Sequence, residues 1–317
     1  MRLVYLGSGE FGVPCLEAMV DSDHELCMIV TQPPHPCGRG RKLRATAAAR
    51  WAESRGVPCV GCENVNSPEM VEQLAACRPD VMVVIACGQK IGPTLVAMPP
   101  KGAINVHASL LPKFRGAAPI NWAIVRGETH TGISIITLAD KIDAGDVLGQ
   151  AETLIGTHET AGELHDRLAQ LSAPLLMETL SQLETGTATY TAQDRALATF
   201  APKLQKSDGF LDFAKPAQAL ARITRGFWPW PGASACHISA KTGKSTHVVI
   251  ALADVIWASG AKDQAPGEFD EDLNVVCGEG KLGIMRIKPA GSGLMDFKDF
   301  INGWRVSPGD RFVKVAP

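Results

Sequence analysis

The 317-residue sequence predicts an α/β fold: an open, mostly parallel, doubly wound sheet followed by a small β-barrel domain. Three observations carry that expectation. Through residue 184, short apolar runs alternate with segments of helical period, the pattern of a parallel sheet covered by helices. Around residues 186–208 the pattern breaks into a polar stretch without helical period. Beyond it, short apolar runs recur between Gly and Pro turns, the spacing of a small barrel. At about 100–200 residues per domain the length fits two domains, assigned to 1–188 and 208–317 with a linker at 189–207.

Each element has its own reason. Residues 3–6 are apolar and stop at Gly7, which reads as a buried strand, and 11–20 follows as a helix. A second strand is expected over 26–31, with helices over 45–55 and 68–77. Residues 80–86 contain Val-Met-Val-Val-Ile, the strongest strand signal in the chain. Residues 103–107 read as a strand, and 119–126 as a helix with Pro119 in its first turn. Strands at 132–138 and 147–155 precede a long amphipathic helix over 160–184. In the second domain, a helix over 216–225 precedes strands at 233–239, 247–253, 274–277 and 282–288.

Composition narrows the function classes. Hydrophobic residues make up 45% of the chain, enough for a large core, and the net charge is −2. The halves differ. Residues 1–188 carry 15 Lys+Arg against 20 Asp+Glu, and residues 189–317 carry 16 against 13. A mildly basic second half would suit a polyanion, but from this number alone ordinary surface charge is the preferred reading. Cysteines number 9, an odd count scattered through a long chain, and read as reduced thiols rather than a disulfide framework. Cys59-Val-Gly-Cys62 is a single CxxC without a second pair at zinc spacing, so no metal is expected. The N-terminus reaches Glu10 too early for a signal peptide, and the longest apolar runs fall far short of the roughly 20 residues of a membrane span. A cytoplasmic chain acting as a monomer, without a membrane partner, is the expectation.

Gly7-Ser-Gly9-Glu-Phe-Gly12 matches a dinucleotide-binding GxGxxG between a strand and a helix. That fingerprint also needs an acid at the end of the second strand to hold a ribose hydroxyl. Here the strand runs into Thr31-Gln32-Pro33-Pro34 with no acid, and the glycines read instead as a close-packed strand-to-helix turn.

The chemistry concentrates elsewhere. Side chains alternate faces along a strand, so Asn105 and His107 project to the same side of the 103–107 strand. The strand ends there, at the edge where open α/β sheets bind ligands. Asn donates to an oxyanion, and His handles protons near neutral pH. Asp143 lies in Ala139-Asp-Lys-Ile-Asp143-Ala-Gly145-Asp146, a glycine-containing loop between two strands, suited to present a carboxylate. A lone His beside a strand is more often structural, and the residues by themselves leave both readings open.

The stretch 105–122, with Ile142-Asp143-Ala-Gly145-Asp146, resembles the folate-dependent formyltransferases. Within that family, the likeness runs along essentially the whole chain to members acting on charged initiator tRNA. Residues 7–16 resemble the family's opening turn and helix. Thr31-Gln-Pro33 and 38–43 resemble its basic inserted loop, 227–232 the opening of its C-domain, and Pro289-Ala-Gly291 with Met295 its late hairpin. The resemblance implies a Rossmann-like catalytic sheet and an OB-like tRNA-binding barrel. It implies 10-formyltetrahydrofolate as formyl donor and the α-amine of methionyl initiator tRNA as acceptor, in translation initiation, with no metal. Asn105 and protonated His107 would then stabilise the oxyanion, with Asp143 holding His107 and helping to move the proton.

The resemblance also assigns binding residues. The folate side falls on Ala86, Cys87, Gly88 and Ile91, on Ser109, Leu110, Leu111 and Pro112, and on Leu138, Ala139 and Asp140. Three changes depart from the family pattern: Cys87 for an aromatic residue, Gln89-Lys90 for apolar ones, and Ala139-Asp140-Lys141 for an acid and glycine. Arg39, Arg41, Lys42 and Arg44, in a Gly-rich loop, fall on the tRNA side. Trp228 and Trp230, flanked by prolines, read as a rigid apolar plug between the domains, with base stacking as the alternative. The competing functions are a formyltransferase acting on an amino-sugar nucleotide, which needs no phosphate-tracking loop, and a non-enzymatic RNA-binding protein.

Overall fold

The structure, a computed structural model, describes residues 1–37, 42–257 and 264–315. The chain divides into two compact units. One comprises Met1–Gly116, Thr131–Thr153 and His165–Phe200; the other comprises Ala117–His130, Leu154–Leu164 and Ala201–Pro317. The second unit therefore draws in two segments from within the first 188 residues.

In chain order, β1 (Arg2–Gly7), α1 (Val13–Val20) and β2 (Glu25–Thr31) come first. A hairpin of β3 (His35–Cys37) and β4 (Lys42–Arg44) precedes α2 (Ala47–Arg55) and β5 (Cys59–Gly61). Then follow α3 (Pro68–Ala76), β6 (Val81–Ile85), α4 (Pro93–Val96), β7 (Ala103–His107) and β8 (Arg115–Gly116). After these come α5 (Pro119–Val125), β9 (His130–Thr137), β10 (Val147–Leu154) and α6 (Ala161–Thr185). Thr46 and Ser67 start α2 and α3 by accepting from the N–H groups of Ala49 and Met70. Thr160 and Glu163 start α6 as a reciprocal capping pair.

The main sheet has the order β10-β9-β7-β6-β1-β2-β5. The pairs β7–β6, β6–β1, β1–β2 and β2–β5 are parallel, and β9 joins β7 antiparallel. The sheet is thus mostly parallel. Every residue of β6 is buried, as a strand covered on both faces must be. Cys59-Val-Gly61, read from the sequence within a CxxC, is the edge strand β5. The parallel strands share one carboxyl edge, where β2 runs toward the hairpin, β6 into Ala86 and β7 out at His107.

The tempting glycine motif has a packing cause. A Cβ on Gly12 would lie 1.9 Å from the Tyr5 hydroxyl oxygen, and one on Gly7 would lie 2.5 Å from it and 2.2 Å from the Ile85 carbonyl oxygen. Both glycines make room for Tyr5, which is fully buried beneath the turn.

The second unit holds β11 (Phe200–Ala201) from Ala201 onward, then α7 (Ala217–Gly226), β12 (Ala233–Ile238) and β13 (Ser245–Ile256). It ends with β14 (Val275–Val276), β15 (Lys281–Pro289), β16 (Met295–Asp296), α8 (Phe297–Trp304) and β17 (Arg311–Lys314). The antiparallel sheet runs β14-β15-β13-β12-β17. Its two ends meet through residues 267–269: Val276 N–H donates to Glu268, and Phe312 N–H to Gly267. That contact makes a near-closed barrel, which removes the free edges. Phe269, Phe300 and Phe312 fill it, and His237 donates to the fully buried Asp310 among these rings at 2.9 Å. Of the two tryptophans expected to form a plug, Trp228 is half-buried and Trp230 is exposed; the buried aromatic is their neighbour Phe227, against Ala118, Leu204 and Trp122. No helix among the described residues is long and apolar enough to cross a membrane.

Candidate active site

The candidate site lies wholly within the first unit and grows from the end of β7. Asn105 pairs with Val84 on one side and Ile136 on the other, and His107 pairs with Ser134. Neighbouring strands therefore fix both backbones. Alternation puts the two side chains on one face, as expected from the sequence. Asn105 is half-buried, and its carboxamide has no hydrogen-bond partner among the described residues. Its donors are available to a ligand.

His107 is 6% exposed and held through one ring nitrogen. Nε2 lies 2.9 Å from the Phe114 carbonyl oxygen, a contact only an N–H satisfies, so Nε2 carries a proton. Nδ1 faces the Asp143 carboxylate at 3.6 Å. That separation exceeds a hydrogen bond. Oδ2 of Asp143 accepts instead from the Gly116 N–H at 2.8 Å. The arrangement keeps a carboxylate beside Nδ1 without a hydrogen bond to it.

The chain has to turn sharply to bring these groups together. Phe114 and Asp143 adopt left-handed backbone, at φ +61 and +52. Asp tolerates that region better than most residues. Gly145 serves a different need: a Cβ there would lie 1.8 Å from the Thr137 carbonyl oxygen. Thr137 also exchanges backbone and side-chain hydrogen bonds with Asp146, closing the loop at its base. Supports that sequence reasoning missed come from residues 191–199. Thr199 accepts from Phe114 N–H and Arg115 N–H, and Gln193 contacts Arg115, Asp143 and Gly145. This stretch has no period or motif to single out either residue.

The proposed donor residues separate into backbone and core. Ala86 and Gly88 are exposed at the end of β6, both with positive φ. The Cys87 side chain points the other way, into a cluster with Val84, Ile91 and Leu95. Burial pushes its thiol pKa up, with an opposing contribution from the Gln89 N–H. Gln89 is a strut: it donates to the Cys62 carbonyl at 3.1 Å and accepts from Val65 N–H at 3.0 Å. Lys90 is exposed. Ser109 and Leu111 are buried, with Ser109 donating to the Lys113 carbonyl, while Leu110 and Pro112 are half-buried. Leu138 is half-buried and Ala139 and Asp140 are exposed, beside Asp143 in sequence. Gln150 and Ser134 pin the 109–111 turn through the Leu111 backbone.

Of the basic residues, Lys42 and Arg44 are exposed on β4, in register with Cys37 and His35. Arg39 and Arg41 lie outside the described residues. The Thr31 and Thr46 hydroxyls, 2.7 Å apart, join the two ends of the hairpin segment.

The formyl transferase family matches residues 1–180, and the formyl transferase, C-terminal domain family matches residues 203–305. The methionyl-tRNA formyltransferase of Geobacter metallireducens is 38% identical, covering 98% of this chain and 98% of its own. That of Solibacter usitatus is 40% identical over the same shares. The sugar 3N-formyl transferase WlaRD, crystallised in the presence of dTDP and 5-N-formyl-THF, superposes with a TM-score of 0.63 at 11% identity. It covers 92% of this chain and 99% of its own, a likeness of fold.

Proposed function

The chain belongs to the methionyl-tRNA formyltransferase family, and on that premise we propose that it moves the formyl group of 10-formyltetrahydrofolate to the α-amine of methionyl initiator tRNA. The observation that carries the mechanism is the convergence of Asp143 on His107 beside the unpartnered carboxamide of Asn105. The amine nitrogen attacks the formyl carbon, forming a C–N bond and placing negative charge on the formyl oxygen. Collapse breaks the bond to folate N10, which leaves with a proton, and the amine gives one up. The balance needs no covalent enzyme intermediate.

Asn105 Nδ2 donates to the developing oxyanion, and protonated His107 adds charge from Nδ1. With Nε2 already bonded to Phe114, proton traffic runs through the Nδ1 edge, where Asp143 stabilises the imidazolium. Donor binding falls to the exposed Ala86 and Gly88 at the end of β6, the 109–112 turn and residues 138–140. Cys87 acts from beneath, as packing. Arg39, Arg41, Lys42 and Arg44 track phosphates of the acceptor, together with the 208–317 domain. The protein works in the cytoplasm as a monomer, which light scattering with and without tRNA tests.

A labelled-donor assay decides the acceptor. With 10-formyltetrahydrofolate carrying labelled formyl, charged initiator tRNA and amino-sugar nucleotides compete in one reaction. Label on methionyl-tRNA is the expected result; label on the sugar alone sinks the proposal.

A further inference from the structure

The relation between His107 and Asp143 has to be held by something, because Asp143 sits at φ +52. Non-glycine residues keep such backbone only where the surroundings impose it. The carboxylate is fixed by the Gly116 N–H. The backbone is fixed by Gln193. Its Nε2 donates to the carbonyl oxygens of Asp143 at 2.9 Å and Gly145 at 2.7 Å. Its Oε1 accepts from Arg115 Nε at 3.1 Å and Nη2 at 2.8 Å. Turned over, the amide would set NH2 against a guanidinium and its oxygen against two carbonyl oxygens, so one orientation alone satisfies the contacts.

Arg115, the partner of that oxygen, is itself 8% exposed and stands between the two residues that hold the candidate pair. Phe114 holds His107 through its carbonyl, and Gly116 holds Asp143 through its N–H. A closed circuit results: His107, the 114–116 turn, Gln193, Asp143 and back to Gly116. We propose that Gln193 is a positioning residue for the transfer. Its carboxamide ties the Asp143 loop to the 114–116 turn and thereby sets the spacing between Asp143 and His107 Nδ1. This rests on the roles given above to His107 and Asp143.

The test uses the full-length protein with Gln193→Ala and the isosteric Gln193→Glu, beside wild type. Glu keeps an acceptor for Arg115 but places an oxygen against both carbonyls. Three readouts are taken: labelled-formyl transfer at saturating donor and charged tRNA, thermal unfolding, and the His107 imidazole signals of ¹⁵N-histidine-labelled protein without substrates. In both variants kcat is expected to fall about 10–100-fold, the scale of a small misplacement at a reacting centre. KM for both substrates stays near wild type, and the His107 signals move. An anchor of the chain segment alone would lower the unfolding temperature and leave the His107 signals where they were. Wild-type kcat in the folded variants, or unmoved His107 signals, overturns the proposal. If Gln193→Ala does not fold, Gln193→Glu decides. If wild type itself transfers no label, the functional reading falls, and the His107 signals still decide the role of Gln193.

Discussion

Two arms leave the carboxyl edge of the same sheet, and they serve different needs. Around His107, residues Phe114, Arg115, Asp143 and Gly145 are buried or half-buried and stitched by side chains from 193 and 199. The β3–β4 hairpin has three paired residues, and Lys42, Leu43 and Arg44 are exposed on its second strand. The first arm carries strained backbone under many constraints; the second, in its described residues, carries exposed charge. Groups that act on a transition state need fixed geometry, because reorganising them during the reaction costs rate. Groups that gather phosphates need reach and charge, and their contribution is screened by salt. The first arm is thus built to fix geometry, and the second presents charge.

Substitutions that break this contrast should separate cleanly. The largest effect is expected from Asn105→Ala, which removes an oxyanion donor and should lower kcat by about 10²–10³. The unfolding temperature should hold, since no described residue loses a hydrogen bond. Steady-state kinetics beside calorimetry checks both. Asp143→Asn comes next. It keeps an acceptor for the Gly116 N–H and tolerates the left-handed backbone, yet removes the charge beside His107 Nδ1. A loss of about 10² in kcat with unchanged stability is expected. A drop in stability matching the drop in rate would mean that Asp143 is structural.

Gly145→Ala tests rigidity without touching a reacting group. The new Cβ collides with the Thr137 carbonyl, so the loop must move. Overpacking of this kind costs about 1–3 kcal/mol, and kcat should fall alongside it, by less than in Asp143→Asn. The smallest effects belong to the hairpin. Lys42→Ala or Arg44→Ala should raise KM for tRNA several-fold, leave KM for the donor alone, and reduce the log–log salt slope of tRNA binding by about 1 each. Equal losses toward both substrates would contradict the assignment.

The sequence made one part of this contrast readable and hid the other. Asn105 and His107 were legible because a strand's two-residue period fixes their face, and β7 ends at His107 as expected. Asp143 was legible as a polar residue beside Gly145, although not the 3.6 Å gap it keeps from Nδ1. The hydrogen bond that commits Nε2 to Phe114 depends on a left-handed backbone seven residues away, which no periodicity reports. Gln193 falls in a stretch assigned to a linker, where polar composition carries no signal of four specific contacts. Gln89, a departure from the family pattern, looked like a polar intrusion into a donor pocket. Its side chain instead braces the loop against Cys62 and Val65.

In the barrel, β17 and α8 went unseen for different reasons. β17 is four residues long. The Phe297, Phe300, Ile301 and Trp304 spacing is helical, but the surrounding turn-rich sequence and Gly303 obscured it. The hairpin strands were equally hidden, because three-residue strands fall below the length at which alternation can be recognised.

The most direct measurement is single-turnover formyl transfer from labelled 10-formyltetrahydrofolate to charged initiator tRNA, run as a tRNA titration for wild type, Asn105→Ala and Arg44→Ala. At saturating tRNA, Arg44→Ala should reach the wild-type rate constant. Asn105→Ala should stay about 10²–10³ slower however much tRNA is added. Asn105→Ala recovering at saturation, or Arg44→Ala remaining slow there, would contradict the separation of fixed-geometry chemistry from recognition by charge.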